Sequence, residues 1–248
     1  MTPESRPTPQ TGSSFVRALA ALAVLGDAGS PASTDAFAQR LSQWLDWTHA
    51  IELSAALAEA PPRVGRPAVA SSKALAMLEA DCAHTRAALQ KLVSQAAAGV
   101  TDGAVAGEAE PDFAAQRQAY ASCQQAFASQ IGPLRQRLRD ALAKQSPGLA
   151  KLAELDGLME RALGAREREL LAGVPGRLAP RYAQLRRTHL EAVAVLAESS
   201  AAANENSPWL TQFHREMRAL LQAELDFRLQ AVDGLLEAFR QSQVAQSS

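Results

Sequence analysis

The sequence predicts an all-α protein, an elongated bundle of about six to seven helices paired as coiled-coil-like antiparallel hairpins. Hydrophobic residues make up 47% of the 248 residues and aromatic residues only 5%. This composition suits close-packed helices better than strands, which favour aromatic and β-branched residues. Apolar residues also recur at alternating steps of three and four, the period of one helix face. No stretch alternates as a half-buried strand would.

The N-terminal part divides into a disordered tail over 1–12 and a helical region over 13–97. After a short helix from Phe15 to Leu25, the most regular element is the helix predicted over 35–57, which carries Trp44 and Trp47. We expect the other helices to pack around it with both tryptophans in the core; a docking surface for a partner is the alternative. Its apolar stripe is Phe37, Leu41, Trp44, Thr48, Ile51 and Ala55.

A third helix begins at Ser71 or Ser72 and keeps the same rhythm for three heptads. This pattern indicates a coiled-coil-like seam. Residues 98–110 contain small turn-forming residues and no large apolar side chain, so they are predicted to be a flexible linker. The seam consists of Leu75, Leu78, Cys82, Thr85, Leu89, Leu92 and Ala96.

The C-terminal helical region spans 111–248. Pro111 and Asp112 open a helix in which Phe113, Tyr120, Phe127 and Leu134 are seven apart, with Gln116, Cys123 and Gln130 between them. Glutamines at such positions suggest a seam that selects its register. Gly132-Pro133 is predicted to kink or break this helix. Ser146-Pro147 starts the next helix, to about Ala172, and the segment 173–176 reads as a turn.

Two further helices are predicted over 178–199 and 208–242. The last one changes the register of its apolar stripe between Leu220 and Leu221. One stripe could face the chain's own bundle and the other a partner, which makes a homodimer one option. Pairing within one chain is the other option. The residues Trp209 and Phe213, at the start of this helix, are candidate interaction residues.

Charge is uneven along the chain. Residues 111–190 hold 13 Lys and Arg against 7 Asp and Glu, although the whole chain has a net charge of −1. Arg135 and Arg139 share one helix face, and we expect them to form a solvated flank. The alternative is a basic face for nucleic acid, which would make the protein a nucleic-acid-associated regulator using its central helices.

The sequence predicts no enzyme, metal site or cofactor. It contains neither a nucleophile-elbow motif nor a phosphate-binding glycine loop, and its closest Glu/Asp–His pairs do not complete a di-metal set. Cys82 and Cys123 are expected to be free, buried thiols, as in a reducing compartment. No signal peptide or membrane-spanning segment is predicted, so we expect a cytoplasmic protein without membrane insertion or a small-molecule substrate.

The segments FVRALAAL and AFAQRLSQWLDWTHAIELSAAL, within Phe15 to Leu57, resemble an uncharacterised proteobacterial family catalogued as a domain of unknown function. That family has a similar tryptophan-bearing motif near its N-terminus. The resemblance implies no catalytic residues, and His49 replaces an acidic residue of the motif. It implies an accessory role in an envelope-linked apparatus. We therefore predict a non-enzymatic interaction or scaffold protein with protein partners.

Overall fold

The computed structural model describes residues 15, 17–19, 47–61, 72–98, 112–197 and 208–247. Over these residues the regular structure is helical and includes no strand, which confirms the predicted all-α class. Phe15 and residues 17–19 are also helical. In chain order, the helices are α1 (Trp47–Ala58), α2 (Ser72–Ala98), α3 (Phe113–Leu142), α4 (Pro147–Ala172), α5 (Val174–Arg177), α6 (Ala179–Ala197) and α7 (Pro208–Ser247).

Side-chain caps fix the starts of α3 and α4. The Asp112 carboxylate accepts a hydrogen bond of 3.0 Å from the Ala114 N–H. The Ser146 hydroxyl accepts one of 3.3 Å from the Leu149 N–H, and Pro147 occupies the first position of α4. Each cap satisfies a backbone donor that a helix start leaves without a partner. Both starts agree with those predicted from the sequence.

Two proline-containing segments are more helical than predicted. The helix α3 continues through Pro133 without a break, because the ring is exposed while Ile131 and Leu134 on either side are anchored in the core. The predicted turn at 173–176 is instead the short helix α5, with Pro175 in its first turn, where the missing N–H costs no helical bond.

The core lies along α7. At 1.5 Å per residue, its 40 residues extend for about 60 Å, against roughly 45 Å for the diameter of a compact globule of this length. It packs along both α2 and α3, which also contact each other; α4 packs on α3, and α6 packs on α7. Its fully buried apolar side chains include Phe213, Met217, Leu220, Leu221, Leu225, Leu229, Val232 and Phe239.

The expectation that one stripe of α7 is left for a partner is wrong. Leu220 and Leu221 are both buried, since α2 and α3 cover the two stripes within the same chain. The acidic residues of α7 also pair internally. Arg181 binds Glu216, and Arg86 binds Asp233, each at 2.6 Å.

The described part of the tryptophan-bearing helix is peripheral. Only Ala56 of α1 is buried, and α1 packs against α4 rather than at the centre of the bundle. The prediction that the other helices surround this helix is therefore wrong for residues 47–58. Trp44, residues 99–110 of the predicted linker and the tail 1–12 lie outside the described residues, while Ala98 is the last residue of α2.

Candidate interaction surface

The outward face of α1 is apolar and uncovered. Trp47 is 79% exposed and Ile51 is 52% exposed, and Ser54, Ala55 and Ala58 on the same side are exposed as well. Spacings of four, seven, eight and eleven residues from Trp47 place these side chains on one side of an α-helix. We call these five residues the α1 outer face. The core position predicted for Trp47 is thus wrong, because its side chain points away from the bundle.

The inner side of α1 is also apolar. Ala56 is buried and Leu53 is half-buried on the side that faces α4, so both sides of the helix carry hydrophobic residues. Glu52 is its only acidic residue, and it contains no Lys or Arg. The polar residues Thr48, His49 and Glu52 lie together on a third side, so α1 carries apolar residues both towards α4 and away from it. The apolar side that faces away from α4 is exposed.

Other large exposed apolar residues in the described part of the chain are more scattered. Leu57 lies on α1 itself, to one side of the outer face, and is 63% exposed. The others lie on four different helices: Met77 on α2, Leu152 and Leu170 on α4, Leu190 on α6 and Val244 near the end of α7. Single exposed apolar residues of this kind are normal on protein surfaces. The α1 outer face differs because two large side chains lie one helical turn apart on the same strip.

Trp209 and Phe213 lie in an aromatic cluster inside the bundle rather than on an interaction surface. The Tyr182 ring stacks edge-on to both, with centroid distances of 5.2 and 5.0 Å. Phe113 adds a further ring at 5.4 Å from Tyr182. These contacts join the beginnings of α3, α6 and α7, so both predicted interaction residues stabilise the chain's own packing.

Beside this cluster, an open groove of about 390 Å³ separates α6 from the start of α7. Trp209 and His189 lie on its two sides. The Arg181 guanidinium at one end binds the Glu216 carboxylate through two hydrogen bonds of 2.7 and 2.6 Å. That bond lowers the pKa of Glu216, because it stabilises the ionised carboxylate.

Arg135 and Arg139 face α4 rather than solvent. Arg135 forms two hydrogen bonds with the Asp156 carboxylate, at 2.8 and 2.6 Å. Arg139 binds Glu160 at 2.5 Å and Asp156 at 3.2 Å. Both arginine side chains are largely buried, which differs from the predicted solvated flank. Burial alone would lower the pKa of Arg135, but its bonds to Asp156 outweigh burial and raise it.

A carboxylate that the sequence analysis missed lies at the centre of the bundle. Glu224 is 0% exposed and accepts hydrogen bonds from the Tyr120 hydroxyl at 2.8 Å, the Arg228 guanidinium at 2.8 and 2.9 Å, and the Gln124 amide at 3.1 Å. The Gln124 amide also donates to the Leu171 carbonyl. Because every oxygen of the carboxylate is already bonded, this cluster holds α3 against α7.

The chain matches the model of a known protein family. The family model described as "Protein of unknown function (DUF3348)" matches residues 1–241. The chain belongs to this family. Comparison with curated proteins found no match, and neither did comparison with solved structures. Membership of the DUF3348 family confirms the expected resemblance to an uncharacterised family and assigns no activity.

The sequence of this DUF3348 chain did contain a signal for its buried polar residues. The first apolar stripe of α7 ends at Leu220, and the position one helical turn further on is Glu224. The second stripe begins at Leu221, and the position two turns before it on the same face is His214. His214 is buried, and its Nε2 donates to Gln116 Oε1 at 3.1 Å. The register change therefore marks where polar residues enter the core.

The remaining candidate chemistry is sparse. Cys82 and Cys123 are free and buried, as predicted, and burial raises the pKa of Cys123 to about 11, with the Glu224 charge adding to the effect. In the described ranges, no three His, Cys, Asp or Glu side chains are grouped to hold a metal ion. None of the helices described is both long and apolar enough to cross a bilayer.

Proposed function

We propose that this protein is a helical interaction module that binds a protein partner through the α1 outer face. The observation that carries the proposal is the exposure of Trp47 and Ile51 on a helix whose other side already packs on α4. Aromatic residues dominate the binding energy of many interfaces, because they bury a large area at a small entropic cost. A partner helix on this face would complete the burial of α1.

One further observation supports an interaction role over the nucleic-acid alternative. The arginines on which that alternative relied, Arg135 and Arg139, are already paired with Asp156 and Glu160. A phosphate backbone would have to compete with those carboxylates for the same guanidinium groups. The accessory role in an envelope-linked apparatus, the cytoplasmic location and the absence of enzymatic activity remain predictions.

Site-specific photocrosslinking in the source cell tests the proposal. A photoreactive phenylalanine analogue replaces Ile51 in one variant and Met77 in a matched control, since Met77 is 62% exposed on α2. We expect a discrete crosslinked protein band from position 51 and none from position 77. Equal, diffuse labelling from both positions would contradict the proposal.

A further inference from the structure

We propose that the groove between α6 and the start of α7 binds an uncharged, planar heteroaromatic ring of the nucleobase class. Its volume of about 390 Å³ lies within the roughly 300–1,000 Å³ of small-molecule sites. Its lining combines the rings of Trp209 and His189 with the side-chain amides of Gln184 and Gln212. These residues belong to α6 and α7 and not to α1, so the inference is independent of the proposed function.

A chain of four hydrogen-bonded side chains joins α6 to α7 at this groove. The Arg181 guanidinium donates to Gln184 Oε1 at 3.1 Å and to the Glu216 carboxylate at 2.7 and 2.6 Å. The Gln212 amide donates to Glu216 Oε1 at 3.0 Å. The bonds to Arg181 and Gln212 lower the pKa of Glu216, so its carboxylate is ionised at neutral pH.

This chain fixes which end of each amide remains available. An arginine can only donate hydrogen bonds, and an ionised carboxylate can only accept them. Gln184 must therefore turn its oxygen to Arg181, which leaves its NH₂ group to donate. Gln212 must turn its NH₂ group to Glu216, which leaves its oxygen to accept. The groove thus presents a donor from α6 and an acceptor from α7.

Two rings supply surfaces on which a planar ligand can stack. The Trp209 and His189 rings lie 32° from parallel, with their centroids 6.4 Å apart. A third ring between them needs about 7 Å, which is two van der Waals contacts of about 3.5 Å each. His189 is half-buried and can supply the difference by a small rotation of its side chain. Trp209 is held by Tyr182, which packs edge-on against it at 5.2 Å.

A nucleobase matches both the rings and the amides. Adenine has ring nitrogens that accept and an amino group that donates, the two groups that a glutamine amide recognises in DNA. Here its acceptor would meet Gln184 and its donor would meet Gln212. Among the described residues that line the groove, the one Lys or Arg is Arg181, which already binds Glu216. A phosphate would therefore gain no free cation, which favours an uncharged ligand.

Calorimetric titration of the full chain with adenosine tests the proposal. We expect saturable binding at concentrations up to about 1 mM, the range of a small ligand with few contacts. Purine riboside lacks the amino group and should bind about 5–10-fold more weakly, because it cannot donate to Gln212. Gln212→Leu should weaken adenosine binding to the level of purine riboside and abolish the difference between them. Gln184→Leu should weaken both ligands equally.

Controls separate this site from the rest of the surface. Gln230→Leu changes an exposed amide of α7 outside the groove and should leave binding unchanged. Circular dichroism establishes that each variant is folded, and the two nucleosides compared on the unchanged chain decide the case if a variant is not. No binding at about 1 mM, or equal binding of the two nucleosides, overturns the proposal. So does tighter binding of adenosine monophosphate or an adenine oligonucleotide that is lost as salt rises, because that dependence indicates phosphate contacts.

Discussion

At the level of single residues, the core depends on a few buried polar groups. Glu224 lies among leucines, where an unpaired carboxylate would be very costly, and its charge is balanced by Arg228 one turn along α7. Burial, together with the adjacent Glu224 charge, raises the pKa of Tyr120, so its hydroxyl stays protonated and donates. These bonds define one register between α3 and α7.

Removing the carboxylate should be much more damaging than removing one of its donors. Glu224→Ala leaves Arg228 buried without its partner and should lower the free energy of unfolding by about 3–5 kcal/mol. Tyr120→Phe keeps the ion pair and should cost about 1–2 kcal/mol. Urea unfolding followed by circular dichroism measures both. Equal losses of unfolding free energy in the two variants would mean that the Glu224–Arg228 ion pair adds no stability beyond the Tyr120 hydrogen bond.

Stability should fall in mild acid, because the unfolded chain binds a proton at His214 more readily than the folded chain does. Burial lowers the pKa of His214 in the folded state, so as pH falls through the ordinary histidine pKa of about 6.5 the unfolded chain binds this proton more readily than the folded chain does. Stability is therefore full above the ordinary histidine pKa and falls as pH drops below it. His214→Gln should flatten that slope in urea titrations at each pH. The matched variant His84→Gln, at an exposed position, should retain it.

At the level of helices, the sequence predicted their existence and their buried faces better than their partners. Periodicity located the buried faces of α2, α3 and α7, since Leu89, Phe127 and Leu229 all lie in the core. It could not reveal that α7 is covered on two sides, because that depends on which helices meet. The tryptophan-bearing segment misled for the same reason: Ile51 has the spacing of a core stripe but faces outward.

The sequence also could not identify which charged residues pair between different helices. Arg135 and Arg139 read as a basic flank because their carboxylate partners are 17 to 25 residues away on α4. Asp156 lies between the two guanidinium groups and holds both. Sequence spacing identifies ion pairs along one helix, such as Arg166 with Glu169, but does not identify pairs between helices.

Loss of Asp156 should weaken the docking of α4 on α3. Asp156→Ala leaves two largely buried arginines with Glu160 as the one carboxylate that both still contact, and we expect the free energy of unfolding to fall by about 2–4 kcal/mol. Glu191→Ala removes the exposed partner of Arg187 and should cost less than about 1 kcal/mol. Thermal and urea unfolding compare the two. A small effect at Asp156 would show that water replaces its bonds without loss.

Truncation of two aromatic residues to alanine should change the stability of the protein by very different amounts. Trp47→Ala removes a side chain that points into solvent and should change stability by less than about 1 kcal/mol. Phe213→Ala empties a fully buried site in the aromatic cluster and should cost about 3–5 kcal/mol. Differential scanning calorimetry distinguishes them. A large loss at Trp47 would place this residue in the core after all.

At the level of the whole molecule, α7 links parts of the chain that are distant in sequence. Its aromatic end packs on α3 and α6, its middle holds the Glu224 cluster, and its last turns meet α2, where Arg240 binds Glu79 at 2.6 Å. Phe15, near the N-terminus, stacks on Phe227 at 5.7 Å. Helices from both predicted regions therefore share one core, which should unfold as a unit.

A chain ending at residue 206 should consequently fail to fold. Without α7, the buried faces of α2 and α3 lose the helix that covers both, and the remaining helices have no common core. We expect a broad thermal transition without a cooperative midpoint, together with strong binding of a hydrophobic dye. A chain ending at residue 243 removes only the terminal segment that contains the exposed Val244 and should melt like the full chain. Cooperative unfolding of the shorter chain would show that residues 1–206 contain a core of their own, and α7 would then be an added helix.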